Sequence, residues 1–116
     1  MDLRTSTPVS FVNVADQERA LAFYCETLGL SIKSLGGGLM RLTALPDYAA
    51  GQHPVLGWDV NDIEMAVRAL KERGIAFTIY DGFGQDELGI WTAPDDKAKV
   101  AWFADPDGNV LSLSQS

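Results

Sequence analysis

The feature that most constrains the fold is an internal echo. VSFVNVADQERALAFYCETLGL, residues 9–30, and VLGWDVNDIEMAVRALKERGI, residues 55–75, follow one plan. Each opens on a run rich in β-branched and aromatic residues. Each then passes a residue able to cap a helix, continues with apolar residues at helical spacing, and stops at a glycine. Shifted by 46, Val14 meets Val60, Asp16 meets Asp62, Ala20 meets Ala66 and Tyr24 meets Leu70. Identities are few, but strand, cap, stripe and stop all agree, so the chain reads as an internal duplication.

In the first half Asp16 is the predicted N-cap, Ala20, Phe23, Tyr24 and Leu28 the buried stripe, and Gly29 the stop. A left-handed residue after a helix is cheap only for glycine. In the second half Asn61, with Glu64 three residues on, has the spacing of a capping box. Ile63, Ala66, Val67 and Leu70 form the stripe and Gly74 ends it. After Gly29, LSIKSL, GGG and LMRLTAL predict two strands around a glycine turn. After Gly74 come AFTIY, a long loop through DGFGQDELGIWTAPDDK, then VAWFAD, the turn PDGN and VLSLS. The second half is therefore read as β-α-β-β-β and the first as one strand short. ALPDYAAGQHP, with its prolines, glycine and small residues, suits a linker between them.

At 116 residues this is one domain, built from module one at about 8–45 and module two at about 54–114. A formal net charge of −7 argues against nucleic acid and against an anionic membrane as partners, since both need a basic surface. The single cysteine, Cys25, allows no internal disulfide and suits a reducing compartment. It lies mid-helix among apolar residues, where an inert thiol is the default. MDLRTSTPVS has no apolar core or cleavage pattern of a signal peptide, and no run approaches the roughly 18 apolar residues of a membrane span. A cytoplasmic location is expected. DGFGQ has no lysine and no following helix, so it is not a nucleotide loop, and GGG reads as a turn.

Near the C-terminus, DPDGN holds two aspartates that could suggest a calcium loop. Such a loop needs more oxygen ligands at alternating spacing and a late glutamate. A turn accounts for the residues better. Pro106 presets φ, Asp105 bonds forward to the backbone, and Gly108 or Asn109 takes positive φ. Counting from that turn puts Val110, Ser112 and Ser114 on one face of the last strand, and Leu111 and Leu113 on the other.

VADQERALAFYCETLGL, WDVNDIEMAVRALKERGI and FADPDGNVLSL, taken in that order, resemble the glyoxalase / bleomycin-resistance / extradiol-dioxygenase group, the vicinal oxygen chelate superfamily. They span nearly the whole chain. The resemblance implies an α+β fold of two βαβββ-like modules, the first abbreviated. Their curled mixed sheet would surround a cavity, with helices on the outer face, usually in a homodimer. Enzymes of the group bind a divalent metal through the first and last strand of each module. Carried over by motif, those ligand positions fall on Val9, Arg41, Val55 and Ser112.

Zinc, nickel, iron or manganese in such a site needs imidazole nitrogen or carboxylate oxygen. Valine has no donor atom, arginine carries a fixed positive charge and only N–H donors, and a neutral hydroxyl is a weak ligand. The expectation is no metal, no cofactor, and metal-independent binding of a small apolar or aromatic molecule in the cavity. The alternative is a lyase, isomerase or dioxygenase with a relocated metal or with acid–base residues, so whether the protein is an enzyme stays open.

The expected ligand contacts are Phe11, Asn13, Arg41, Asp59, Trp102 and Ser112. Val9, Phe11 and Asn13 share one strand face, as do Val55, Gly57 and Asp59. Asn13 and Asp59 would be polar fittings of the cavity, or caps of the following turns. Arg41 would fork onto a ligand carboxylate or phosphate, pair with Asp59, or stand exposed. Trp102 shares a face with Val100 and Ala104, opposite Ala101 and Phe103. Tyr80, Trp91, Phe103 and Trp58 add aromatic surface, which suits either a concave site or an ordinary core. The acid–base candidates are His53, Asp59 and Glu87. His53, the only histidine, reads first as a linker residue before Pro54. Glu87, with Asp86, reads first as a solvated loop acid.

Overall fold

The computed structural model describes residues 2–6, 9–30 and 39–116. The strand expected at LSIKSL and the GGG turn fall on residues 31–38, apart from Leu30, and so lie outside that description. The elements run β1 (Val9–Val14), α1 (Gln17–Leu21, continued as a π-helical turn over Ala22–Thr27), β2 (Leu39–Ala44), β3 (Pro54–Asp59), α2 (Ile63–Glu72), β4 (Trp91–Thr92), β5 (Lys99–Ala104) and β6 (Val110–Gln115). The α+β class is as the sequence predicts. The chain divides into two compact units, Met1–Ala50 and Gly51–Ser116.

In the first unit Asp16 sits extended at φ −130° and its carboxylate accepts from Arg19 N, which caps α1. Ala20 and Tyr24 are fully buried, as the stripe requires. The end of the helix is wider than an α-helix: Leu28 N donates to Phe23 O at 2.9 Å and Leu30 N to Tyr24 O at 2.9 Å. Gly29 between them takes φ +75°, the left-handed turn that a Cβ would oppose. β1 and β2 pair in parallel, with Val9 opposite Leu39, Phe11 opposite Arg41 and Asn13 opposite Thr43. Val12 and Val14 are buried on the other face, and α1 packs against β2.

The second unit repeats the opening and then extends it. The N-cap of α2 is Asp62, whose Oδ1 accepts from Met65 N at 3.1 Å. The sequence reading placed the cap one residue earlier, at Asn61. The duplication itself points to the observed residue, since Asp62 is the counterpart of Asp16. Aspartate at 62 both reaches the open N–H group and puts negative charge at the positive end of the helix. Ile63 and Val67 are buried. At the far end Gly74 takes φ +91°, while Gly74 N donates to Lys71 O and Ile75 N to Leu70 O. That is the double bond of a Schellman motif.

The sheet of the second unit has the order β3-β6-β5-β4. β3 runs parallel to β6, and the β6/β5 and β5/β4 pairs are antiparallel. AFTIY, expected to form a strand, makes a single bridge from Phe77 to Phe103, with Thr78 N bonded to Trp102 O. Beyond it the Gln85 side chain takes the place of a neighbouring strand. Its Oε1 accepts from Tyr80 N at 2.7 Å and its Nε2 donates to Thr78 O at 2.9 Å. The edge of β5 is then completed by β4, from within the stretch read as loop.

Candidate functional site

The pairing register of the second unit sorts every strand residue onto one of two faces, because residues opposite each other in a ladder point the same way. Phe103, Leu111 and Leu56 form one row and Ala101, Leu113 and Trp58 the next. Phe103, Leu111, Ala101 and Leu113 are buried, and α2 lies over β5 and β6. Trp58 stacks on Phe103 with ring centroids 6.4 Å apart, and Phe77 tilts against Phe103 at 5.4 Å. These aromatic residues belong to the core.

The opposite face is open. Its rows are Trp102–Ser112–Gly57 and Trp91–Val100–Ser114–Asp59. Trp102, Ser112, Ser114, Val100 and Trp91 are half-buried, and Gly57 and Asp59 are exposed. The predicted contacts Trp102, Ser112 and Asp59 are thus brought onto one surface. Ser112 stands at its centre because Gly57 leaves room for it: a Cβ at position 57 would run into Ser112 Oγ and would sit 3.2 Å from Ser112 O. Asp59 accepts a long hydrogen bond of 3.4 Å from Ser116 Oγ.

Around Trp102 the loop supplies an aromatic wall. Tyr80 meets Trp102 edge-on at 5.4 Å and Phe83 does so at 5.8 Å, while Trp91 lies 6.5 Å away. Tyr80 and Phe83 also contact one another, at 5.3 Å. Phe83 stays 49% exposed, so this cluster is not a closed core. The sequence reading named Tyr80 and Trp91 only as aromatic surface and missed Phe83. The available signal was its position between Gly82 and Gly84, both at positive φ, since such flanks suit a loop tip rather than a packed strand. The wall is held by Gln85, which also donates to Gly89 O at 2.7 Å. Asp86 helps to hold it too, its Oδ1 accepting from Leu88 N and Ile90 N.

The three acid–base candidates are not brought together. His53 precedes β3 and Asp59 ends it, which at roughly 3.3 Å per residue sets them about 20 Å apart. Glu87 lies in a shallow hollow with Glu64, Arg68, Asp86 and Leu88, beside the helix that covers the other face of the sheet. Asp86 itself is engaged in its turn.

Of the positions that the resemblance assigns to a metal, Val9 and Arg41 belong to the first unit and Val55 and Ser112 to the second. Val55 is the extra residue of a bulge, because Pro54 pairs with Val110 and Leu56 with Leu111. It has no partner of its own in the β6 ladder and is 46% exposed. Aliphatic side chains, a guanidinium and a neutral hydroxyl do not fit a divalent cation. Among the described residues no group of three or more His, Cys, Asp and Glu side chains could hold one. In the first unit Phe11, Arg41 and Asn13 share the face opposite buried Val12 and Val14, and Phe11 is 63% exposed.

A family model described as Glyoxalase/Bleomycin resistance protein/Dioxygenase superfamily matches residues 7–113. No curated protein matches the sequence. Among solved structures, the chain is similar to a glyoxalase family protein from Enterococcus faecalis, with TM-score 0.72 and 20% identity over 98% of this chain and 99% of that one. It is also similar to a glyoxalase / bleomycin resistance protein from Catenulispora acidiphila, with TM-score 0.67 and 20% identity over 96% and 99%. An integron cassette protein from the V. cholerae mobile metagenome gives TM-score 0.66 and 18% identity over 99% and 97%. At these identities the likeness is one of fold.

Proposed function

The chain belongs to the glyoxalase / bleomycin resistance protein / dioxygenase superfamily, and from that premise we propose that it binds a small apolar or aromatic molecule without a metal, on the open sheet face of the second unit. The observation that carries this reading is the aromatic wall of Tyr80, Phe83, Trp91 and Trp102 beside the Ser112 hydroxyl. Ligand sites are mostly apolar surface with a few placed polar groups, and this face has that composition. A flat ligand stacks against Trp102 while Ser112 and Ser114 exchange hydrogen bonds with its edge. Asp59, at the end of the same row, favours a ligand that presents a donor there.

The metal-free part of the reading rests on chemistry. Val9, Arg41, Val55 and Ser112 offer no anionic or imidazole donor where the family's metal ligands are expected. Among the described residues no helix is long and apolar enough to cross a membrane. A homodimer and a cytoplasmic location complete the proposal.

Fluorescence titration with 2-naphthol in the presence of a chelator tests it. Binding should quench the tryptophans saturably, and Trp102→Ala should weaken it about three- to tenfold, the usual value of one aromatic contact. Unaltered affinity in that variant would place the ligand elsewhere.

A further inference from the structure

We infer that the open face of β1 and β2 in the first unit is a site for a planar aromatic carboxylate, seated on Phe11 and forked by Arg41. Phe11 and Arg41 are direct partners in the β1/β2 register. Phe11 is 63% exposed and Arg41 is exposed as well. Ion pairs join Arg4 to Asp2 and Arg68 to Glu64, and among the described residues the Arg41 guanidinium has no such partner. A large exposed ring and an uncommitted guanidinium therefore stand side by side, in a chain whose formal net charge is −7.

Neighbouring strands lie about 4.8 Å apart, so the long arginine stem reaches the edge of anything lying on the Phe11 ring. An aromatic carboxylate is flat throughout. Its ring stacks on Phe11 while both carboxylate oxygens accept from the guanidinium fork in the same plane. A tetrahedral phosphate meets the fork but gains nothing from the ring. Thr43, paired with Asn13 on the same face, adds a hydroxyl at the next ladder position. The valine at position 9, 39% exposed, extends the apolar floor on the other side. The duplicated pairing in the second unit is Gly57 with Ser112, which has neither the ring nor the charge. The inference stands on the first unit alone and concerns a charge preference that the tryptophan site does not supply.

The test compares 2-naphthoate, 2-naphthamide and inorganic phosphate by NMR titration at low salt, on the wild type and on Arg41→Gln, Arg41→Lys and Phe11→Ala. All substituted residues are exposed, and circular dichroism reports whether each variant keeps its fold. In the wild type the acid should bind about two- to fivefold tighter than the amide, the usual value of an exposed ion pair. Added salt should narrow that gap. Arg41→Gln should abolish the preference, Arg41→Lys should restore only part of it, and Phe11→Ala should weaken acid and amide alike. Equal affinity for acid and amide in the wild type would overturn the proposal. So would a preference unchanged by Arg41→Gln, or phosphate binding as tightly as naphthoate. The readout is a ratio of affinities at Arg41, so it stands or falls separately from binding at Trp102.

Discussion

Gly57 faces Ser112 across the β3–β6 pairing so closely that a side chain at 57 would displace the serine hydroxyl. Gly57→Ala is therefore expected to destabilise the fold by about 1–3 kcal/mol, the usual cost of overpacking, measured by urea denaturation. Removing the hydroxyl as well, in Gly57→Ala with Ser112→Ala, should recover part of that loss, and a double-mutant cycle reads the coupling. Additive effects would mean the two residues do not compete for space. Ser112 was legible in the sequence because DPDGN acts as a ruler. Once Pro106 and Gly108 fix the turn, the alternation of VLSLS fixes the face. Gly57 was legible as a strand residue but not as the partner of Ser112, since a parallel pairing joins residues far apart in sequence and depends on register.

Local elements carried their own signals more fully. The Asp105 turn is built as the residues suggest. Gly108 takes φ +88°, and Gly108 N donates to Asp105 O at 3.0 Å. The Asp105 carboxylate accepts from Asp107 N, Asn109 N and Asn109 Nδ2 at 2.8–2.9 Å while only 5% exposed. Asp105→Ala would strand those donors and should cost on the order of 3 kcal/mol, again by denaturant unfolding, with the hairpin of β5 and β6 losing amide protection first. For α2 the observed cap predicts that Asp62→Ala costs about 1 kcal/mol and that Asn61→Ala stays within about 0.5 kcal/mol. The reverse order would restore the capping-box reading. AFTIY failed as a strand for a reason no propensity scale contains. A glutamine from a later loop takes the backbone groups of Thr78 and Tyr80 that a neighbouring strand would have taken, and β4 fills the remaining edge.

At the scale of the molecule, the duplication was readable because cap, stripe and stop are local. The bulge at Val55 and the gathering of Tyr80, Phe83 and Trp91 around Trp102 are long-range outcomes of loop closure. They were not readable from periodicity. Each unit presents strands with unpaired edges among the described residues, with β1 and β2 forming a two-stranded sheet and β3 ending the other. Such edges are commonly covered by symmetric association. Sedimentation equilibrium is expected to give twice the chain mass, and a species of single-chain mass at all concentrations would contradict the dimer.

The central claim is ligand binding that needs no metal. Calorimetric titration of chelator-stripped protein with 2-naphthol, repeated after addition of nickel, zinc, manganese or iron, tests it most directly. The account predicts saturable binding to the stripped protein, changed by no more than about twofold by any of the four metals, since the site is aromatic surface and hydroxyl groups. Binding that appears only once a metal is supplied would contradict it.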